Sequence, residues 1–292
     1  MKELIVQTGD AGQRLDSYLR KVYPQLPKGL LFKGIRKKKI KVNRQRAELN
    51  QRLQEGDRIQ IFLPEDALTP KDRMALLHEG PVDVVYEDDN LLCVAKPRGL
   101  KSQPDQKGED SLAGRVCAYI YKTGKWDPQD QNAFAPASAS RLDRNTEGLV
   151  LFAKNAQTLR ELNEAVRNHE IEKIYEARVE GKLPFESRRL EAWLKKGADL
   201  KAQVYEHPEE GAQEAAMQVK VLSFDGKHSL VEVQLETGRF HQIRAMLAAI
   251  GHPLAGDAKY GSHESGPYKL TAKKLVLKGN GSRLPAKTIE LA

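Results

Sequence analysis

An aspartate stands between two arginines in Ser140-Arg141-Leu142-Asp143-Arg144-Asn145-Thr146-Glu147-Gly148-Leu149, just ahead of an apolar stretch. Arginine beside aspartate favours the ionised carboxylate and lowers its pKa. A carboxylate held ionised and in place is a nucleophile or a general base. The same residues also fit a surface salt bridge at the entrance to a strand. A second cluster, Thr237-Gly238-Arg239-Phe240-His241-Gln242-Ile243-Arg244, opens a helical pattern. Free N–H groups at a helix start, together with Arg239 and Arg244, can hold a phosphate or a carboxylate. Arg244 follows Ile243, about 100° round the helix, so it borders the apolar stripe. A partly buried arginine requires an acidic partner, and Asp143 suits. An amphipathic helix with exposed arginines is the plainer reading. Tyr175, in Ile174-Tyr175-Glu176-Ala177, fits either core packing or stacking on a nucleobase. Lys96-Pro97-Arg98-Gly99-Leu100 ends a strand in a Pro-Gly turn beside two charges.

Some chemistries lack their residues. His241 and His252 have no cysteine or acid at metal-ligand spacing, so no zinc site is expected. Neither a Gly-rich phosphate loop nor a dinucleotide fingerprint is present, so no cofactor is expected. Acid/base hydrolysis calls for a carboxylate pair, and no second carboxylate is well placed in the sequence.

The elements that must position these residues are readable from periodicity. In residues 1–64, Leu15, Tyr18 and Leu19 have helical spacing. A run from Lys28 to Arg46 follows, with nine Lys or Arg and no acid. Gly56–Phe62 then alternates like a strand. This predicts a small unit of helices and a hairpin with one basic face. Residues 65–81 hold Pro70 and Pro81, mixed charges and little periodicity, as in a linker, with a short helix over Lys71–His78. From Val82 onwards, Val84–Tyr86 and Leu91–Ala95 flank an acidic turn and predict a strand pair. Gly148–Lys154 predicts a strand, and Asn155 a cap for a helix over Ala156–Asn168. Tyr175–Val179 and Val231–Leu235 alternate as strands. A helix over 239–250 carries Phe240, Ile243, Leu247 and Ile250 on one face and stops at Gly251. Gln103–Ala139 reads as a long surface excursion with one helix near Ser111–Tyr121. Strands outnumber helices without alternating with them. That gives an α+β fold, a mostly antiparallel mixed sheet with flanking helices over residues 82–292, behind the small first unit.

Composition narrows the partners. The chain has 292 residues, a net charge of +8, and ordinary apolar (40%) and charged (30%) fractions, so a packed fold rather than disorder is expected. Excess positive charge favours polyanions. Cys93 lies in an apolar run and reads as a small buried hydrophobe, and Cys117 is the only other cysteine. With no apolar leader at the start and no membrane-length apolar run, a reducing cytoplasm and no membrane association are expected.

In chain order, four stretches resemble the RluA family of pseudouridine synthases. Val85–Asp89 through Lys96–Leu100 is similar to its opening strand pair, and Arg141–Leu149 to its catalytic motif. Lys173-Ile174-Tyr175-Glu176-Ala177 is similar to its tyrosine motif. Thr237–Arg244, with Gly251–Asp257 and Tyr260-Gly261, is similar to its last motif. The first unit resembles a ribosomal S-four-like RNA-binding domain. The chain departs from the family pattern at Ser140 (usually His), at Glu147 in Thr146-Glu147-Gly148 (usually Ser) and at Phe240 (usually Thr). The resemblance implies isomerisation of uridine to pseudouridine in folded RNA, with no metal, redox cofactor or ATP. It makes Asp143 the catalytic aspartate and Arg141 the residue that fills the space of the extruded uracil. Tyr175 would stack on the target base, and Arg244 would pair with Asp143. The expected RNA contacts are Lys37, Lys38, Lys39, Lys41 and Arg239, with Lys96 beside the cleft. Large-subunit ribosomal RNA is the first expected substrate and transfer RNA the second, for a monomeric enzyme. A non-catalytic ribosome-associated RNA-binding protein would share the basic first unit but has no need of Asp143, Tyr175 and Arg244 together.

Overall fold

The computed structural model describes residues 1–68, 73–106, 108–130, 133–279 and 284–291. Residues 1–68 form an antiparallel sheet of β1 (Lys2–Ile5), β4 (Arg58–Ile61), β2 (Ile40–Val42) and β3 (Gln45–Arg46), in that spatial order. Helices α1 (Leu15–Val22) and α2 (Lys28–Arg36) cover it. Leu15, Tyr18, Leu19 and Val22 recur at helical spacing and all are buried, against Leu31, Ile40, Ile59 and Ile61. The unit therefore has a core of its own. Helix α2 stops where Lys38 takes a left-handed conformation (φ 58°), and Arg36, Lys37, Lys38 and Lys39 stand exposed there.

The larger sheet runs β11 (Ala202–Tyr205), β10 (Ser187–Lys196), β12 (Gln213–Phe224), β13 (His228–Leu235), β9 (Ile171–Glu180), β14 (Leu270–Leu277), β8 (Glu147–Ala153), β6 (Leu91–Lys96) and β5 (Asp83–Glu87). The short β15 (Lys287–Glu290) adds to β14, and β7 (Ala137–Ser138) to β8. Period-two alternation sorts the side chains of β6 and β8 between two faces. Leu92, Val94, Val150 and Phe152 pack on α3 (Leu112–Lys122), while Leu91, Cys93, Leu149 and Leu151 pack towards α4 (Ala156–Arg167). Ser111 caps α3 and Asn155 caps α4, each side-chain oxygen accepting from a backbone N–H three residues on. Helix α5 (Gln242–Ala249) buries Ile243, Met246 and Leu247 against Tyr175, Ala177, Val231 and Val233. Among the described residues, no helix is long and apolar enough to cross a membrane.

The α+β fold with a mostly antiparallel sheet is as expected. Every pairing between these strands is antiparallel except one, β14 with β8, where Thr271 faces Glu147 and Ala272 faces Gly148. This parallel seam joins β5–β6–β8 to the rest of the sheet. Gly148 is required there for two reasons. Its φ is +114°, and a Cβ would lie 2.3 Å from the Ala272 carbonyl oxygen.

Three expectations need correction. Helix α5 begins at Gln242, so Phe240 precedes it, and Phe240 and Ile250 are exposed rather than on its buried face. The Gln103–Ala139 excursion is not a surface loop alone: Leu112, Val116, Ile120 and Trp126 are core. Within Lys71–His78 the helix is one 3-10 turn, Met74–Leu76, while Lys71 and Asp72 lie outside the described residues. Strand β1 and the long pair β10 and β12 were not anticipated.

The seam makes a prediction. Gly148→Ala should destabilise the fold by about 2–4 kcal/mol through a close contact at positive φ. A urea midpoint equal to wild type would show that the strands can part without cost.

Candidate active site

Leu142 touches both the core under α3 and the core under α5, which fixes the approach of the following residue, Asp143. The loop is then fastened from behind. The Ser102 hydroxyl donates to the Leu142 carbonyl (2.8 Å) and accepts from the Leu142 N–H (3.0 Å). Gly99 N–H donates to the Arg144 carbonyl (2.8 Å), and Arg144 Nε donates to the Gly99 carbonyl (3.0 Å). Lys96 lies at the centre of this clamp. Its Nζ donates to the carbonyls of Pro97 (3.0 Å), Leu100 (2.8 Å) and Arg144 (3.1 Å).

Lys96 therefore needs correction as an RNA contact, because only 1% of it is exposed. Desolvation pushes its pKa down to about 8, with Asp143 and Glu147 pulling the other way. The Lys-Pro-Arg-Gly-Leu turn acts as the bracket of the aspartate loop.

Arg244, on the first turns of α5, is buried and reaches two carboxylates. Its main partner is Asp257, which accepts two hydrogen bonds, 2.6 Å from Nε and 2.8 Å from Nη2. Arg244 Nη1 stands 3.6 Å from Asp143 Oδ2. The guanidinium lies over the rings of Tyr260 (4.9 Å) and Tyr268 (4.4 Å). Burial alone would lower the arginine pKa, but the Asp257 hydrogen bonds and the surrounding negative groups outweigh it, and the net direction is upward. Asp257 is fully buried and was not recognised from sequence. The signal was there: a buried arginine requires an acid, and Asp257 closes the Gly251–Asp257 stretch. The sequence reading gave that whole task to Asp143.

Asp143 sits at the mouth of this arrangement, its side chain 31% exposed. Desolvation raises its pKa, Arg244 and Lys96 oppose the rise, and the net direction is upward. This corrects the depressed pKa expected from its two arginine neighbours in sequence. Arg141 and Arg144 are both exposed, and Arg144 is bonded to Gly99. Tyr175 is buried on β9, and its hydroxyl pKa is raised, first by desolvation and then by the Asp143 charge. The structure thus brings Asp143, Arg244 and Tyr175 together and leaves Arg141 at the surface beside them. Arg239 is half-exposed, its Nε donating to the Glu214 carbonyl (2.8 Å). Lys37, Lys38, Lys39 and the half-buried Lys41 belong to the first unit.

Chemically this is a single available carboxylate. Asp257 is the other one near it, and both its oxygens are engaged by Arg244. A hydrolase working through two free carboxylates does not fit. One desolvated carboxylate beside a fixed guanidinium fits a nucleophile or base acting on a bound group.

A mixed sheet with this aspartate loop at its seam belongs to one class of RNA-modifying isomerase. Residues 90–249 match the family model for RNA pseudouridylate synthase, and the chain belongs to that family. It is 31% identical over 284 residues to ribosomal large subunit pseudouridine synthase C of Rickettsia felis, covering 94% of this chain and 89% of that one. It is 30% identical over 261 residues to the RNA pseudouridine synthase YhcT of Bacillus subtilis, covering 89% of this chain and 82% of that one. Among solved structures, human RNA pseudouridylate synthase domain containing 4 shares the fold, with a TM-score of 0.58 and 20% identity over 72% of this chain and 88% of that one. The chain is an RNA pseudouridine synthase, as its RluA-like motifs implied.

Because Lys96 holds the loop and not the RNA, Lys96→Met should leave RNA affinity unchanged. It should lower stability by about 1–3 kcal/mol, the cost of depriving buried carbonyls of a donor, and should cut turnover. A weakened RNA complex with unaltered stability would reverse that assignment.

Proposed function

We propose that this enzyme converts uridine to pseudouridine in large-subunit ribosomal RNA, with Asp143 as the catalytic carboxylate. The observation that carries the catalytic part is the placement of Asp143, desolvated yet with its side chain 31% exposed, and with Arg244 Nη1 3.6 Å away. The ribosomal substrate is supported by the printed name of the Rickettsia felis relative, whereas the name of the Bacillus subtilis relative carries no substrate.

The isomerisation breaks the bond between N1 of uracil and the ribose C1′, turns the base in place, and joins C5 to C1′. The C5 proton is lost and N1 gains one, so the composition is unchanged. A stacked base is out of reach, so the uridine must leave its helix or loop first. Arg141, exposed beside the cleft, takes the vacated place in the RNA. The Tyr175 ring stacks on the uracil. Asp143 acts on the nucleoside as nucleophile or base, and either role needs it ionised. Excluding water from the filled cleft strengthens the pull of Arg244 on that charge.

Residues 1–64, read as an S-four-like RNA-binding domain joined to the catalytic domain through residues 65–81, add affinity. The exposed Lys37, Lys38 and Lys39, with Lys41 and Arg239, contact phosphates, which fix register without reading sequence.

The test compares pseudouridine maps of total RNA from cells carrying the gene, lacking it, or carrying Asp143→Ala. Loss of one or a few large-subunit positions, restored by wild type but not by Asp143→Ala, is the expected result. Loss confined to transfer RNA would move the substrate assignment there. Restoration by Asp143→Ala would overturn the catalytic role.

A further inference from the structure

His241 ends the turn before α5 in a left-handed conformation, φ 54° and ψ 24°, which is uncommon for a residue with a side chain. The fold enforces it. The Gln242 side chain bends back to accept from the Arg239 N–H (3.0 Å) and the Thr237 hydroxyl (2.8 Å), and it donates to the Ala216 carbonyl (3.0 Å). The His241 imidazole stacks on the Phe240 ring at 3.8 Å and 19°.

The two ring nitrogens face different groups. Nδ1 lies 2.8 Å from the Tyr260 hydroxyl, and that oxygen accepts from the Ala202 N–H at 2.8 Å. Among the described residues, these are the two hydrogen-bond partners of the phenol. Its single proton needs an acceptor, and Nδ1 is the one in reach. Tyr260 therefore donates to Nδ1, and the imidazole proton sits on Nε2. Nε2 stands 3.6 Å from Asp143 Oδ2, the same oxygen that Arg244 Nη1 approaches at 3.6 Å. Burial, then Arg244, Lys259 and Lys196, push the His241 pKa down to about 3, so the ring stays neutral and the N–H stays a donor.

We propose that His241 is a positioning residue of the reaction: its neutral Nε2–H, with Arg244 Nη1, holds Oδ2 of Asp143 and turns Oδ1 towards the nucleoside. The inference rests on Asp143 being the catalytic carboxylate. At 3.6 Å the contact is longer than a hydrogen bond in the free protein, and catalytic contacts of this kind tighten when substrate fills the site. Tyr260 then has two tasks, one ring face on Arg244 and its hydroxyl on His241. Phe240 supplies the stack that orients the donor.

The test has two parts. Long-range proton–nitrogen NMR on the full chain reads the His241 tautomer without reference to turnover, and the Nε2–H form is expected down to pH 5. Kinetics on unmodified RNA then compare His241→Phe, which keeps a ring on Phe240 but has no donor, with His241→Gln, which puts an amide N–H near the Nε2 position. Other charged or titratable groups around Asp143 are Arg244, Lys96, Asp257, Tyr175, Tyr260 and Tyr268, and both variants leave them in place. His241→Phe should lower kcat on the order of 10- to 100-fold, the loss typical of a misplaced reacting group, with KM nearly unchanged. Losing a donor to the carboxylate disfavours its ionised form, so the acid limb of the rate profile should move to higher pH. His241→Gln should recover most of the rate and the original limb. An Nδ1–H tautomer, wild-type turnover in His241→Phe, or equal losses in both variants with an unmoved acid limb would each overturn the proposal. If wild type itself turns over no RNA, the pseudouridylation reading fails instead. The Asp143 carboxyl titration, in wild type and in His241→Phe, then decides whether His241 holds that group.

Discussion

A carboxylate that must stay ionised where water is scarce has to be matched by a fixed cation, and a buried cation has to be matched in turn. That requirement runs through this site as a chain of charge from Asp143 to Arg244 to Asp257. Asp257 takes the two short hydrogen bonds and fixes the guanidinium. The third nitrogen is left for Asp143 at a longer distance. The division suits catalysis: a carboxylate clamped at full strength by a bidentate arginine would be stable and unreactive. The rings of Tyr260 and Tyr268 both lie against the guanidinium and help keep it from solvent.

The sheet serves that chain of charge. Arg244 comes from α5, which lies against β10 and β11 and shares a core with β9 and β13, whereas the Asp143 loop feeds β8 in the other part of the sheet. Within the sheet, the strand that links the two parts among the described residues is β14, antiparallel to β9 and parallel to β8. A close strand approach at Gly148 therefore sets how far the aspartate loop stands from the arginine helix. Lys96 fixes the same loop from behind, its buried ammonium donating to the carbonyls of Pro97, Leu100 and Arg144. Rigid support of this kind is what lets a long contact be a functional one, since neither side can relax towards the other.

Much of this was legible in the chain itself. The strands β5, β6, β8, β9 and β13 announce themselves because each alternates or runs apolar between turn residues, and α4 because Asn155 caps an amphipathic stretch. The aspartate loop, Tyr175 and Arg244 were visible as a set because their motifs are local. Relations across the chain were not visible. That Arg244 needs an acid was readable, but which acid was not, since a turn aspartate at position 257 also fits exposure. Lys96 read as surface charge because nothing in a sequence reports three converging carbonyls. The rise in the Asp143 pKa was missed for the same reason: Arg141 and Arg144 are near it in sequence but exposed to solvent, and desolvation by burial decides the sign. Strands β10 and β12 were missed because their alternation mixes Arg, Glu and Lys with small apolar residues, as sheets with one wet face do. Phe240 was assigned to the helix face because periodicity alone does not detect that the Gln242 side chain closes the turn and starts the helix later.

The central claim is electrostatic: desolvation raises the Asp143 pKa, and Arg244 and Lys96 oppose the rise. Carbon NMR of the aspartate side-chain carboxyls, titrated from pH 3 to 8 and assigned with Asp143→Asn, measures this directly. The account predicts a resonance that titrates above the ordinary aspartate value of about 3.9 and is fully ionised by pH 7. A carboxyl that titrates at or below that value, or one still protonated at pH 7, would contradict it.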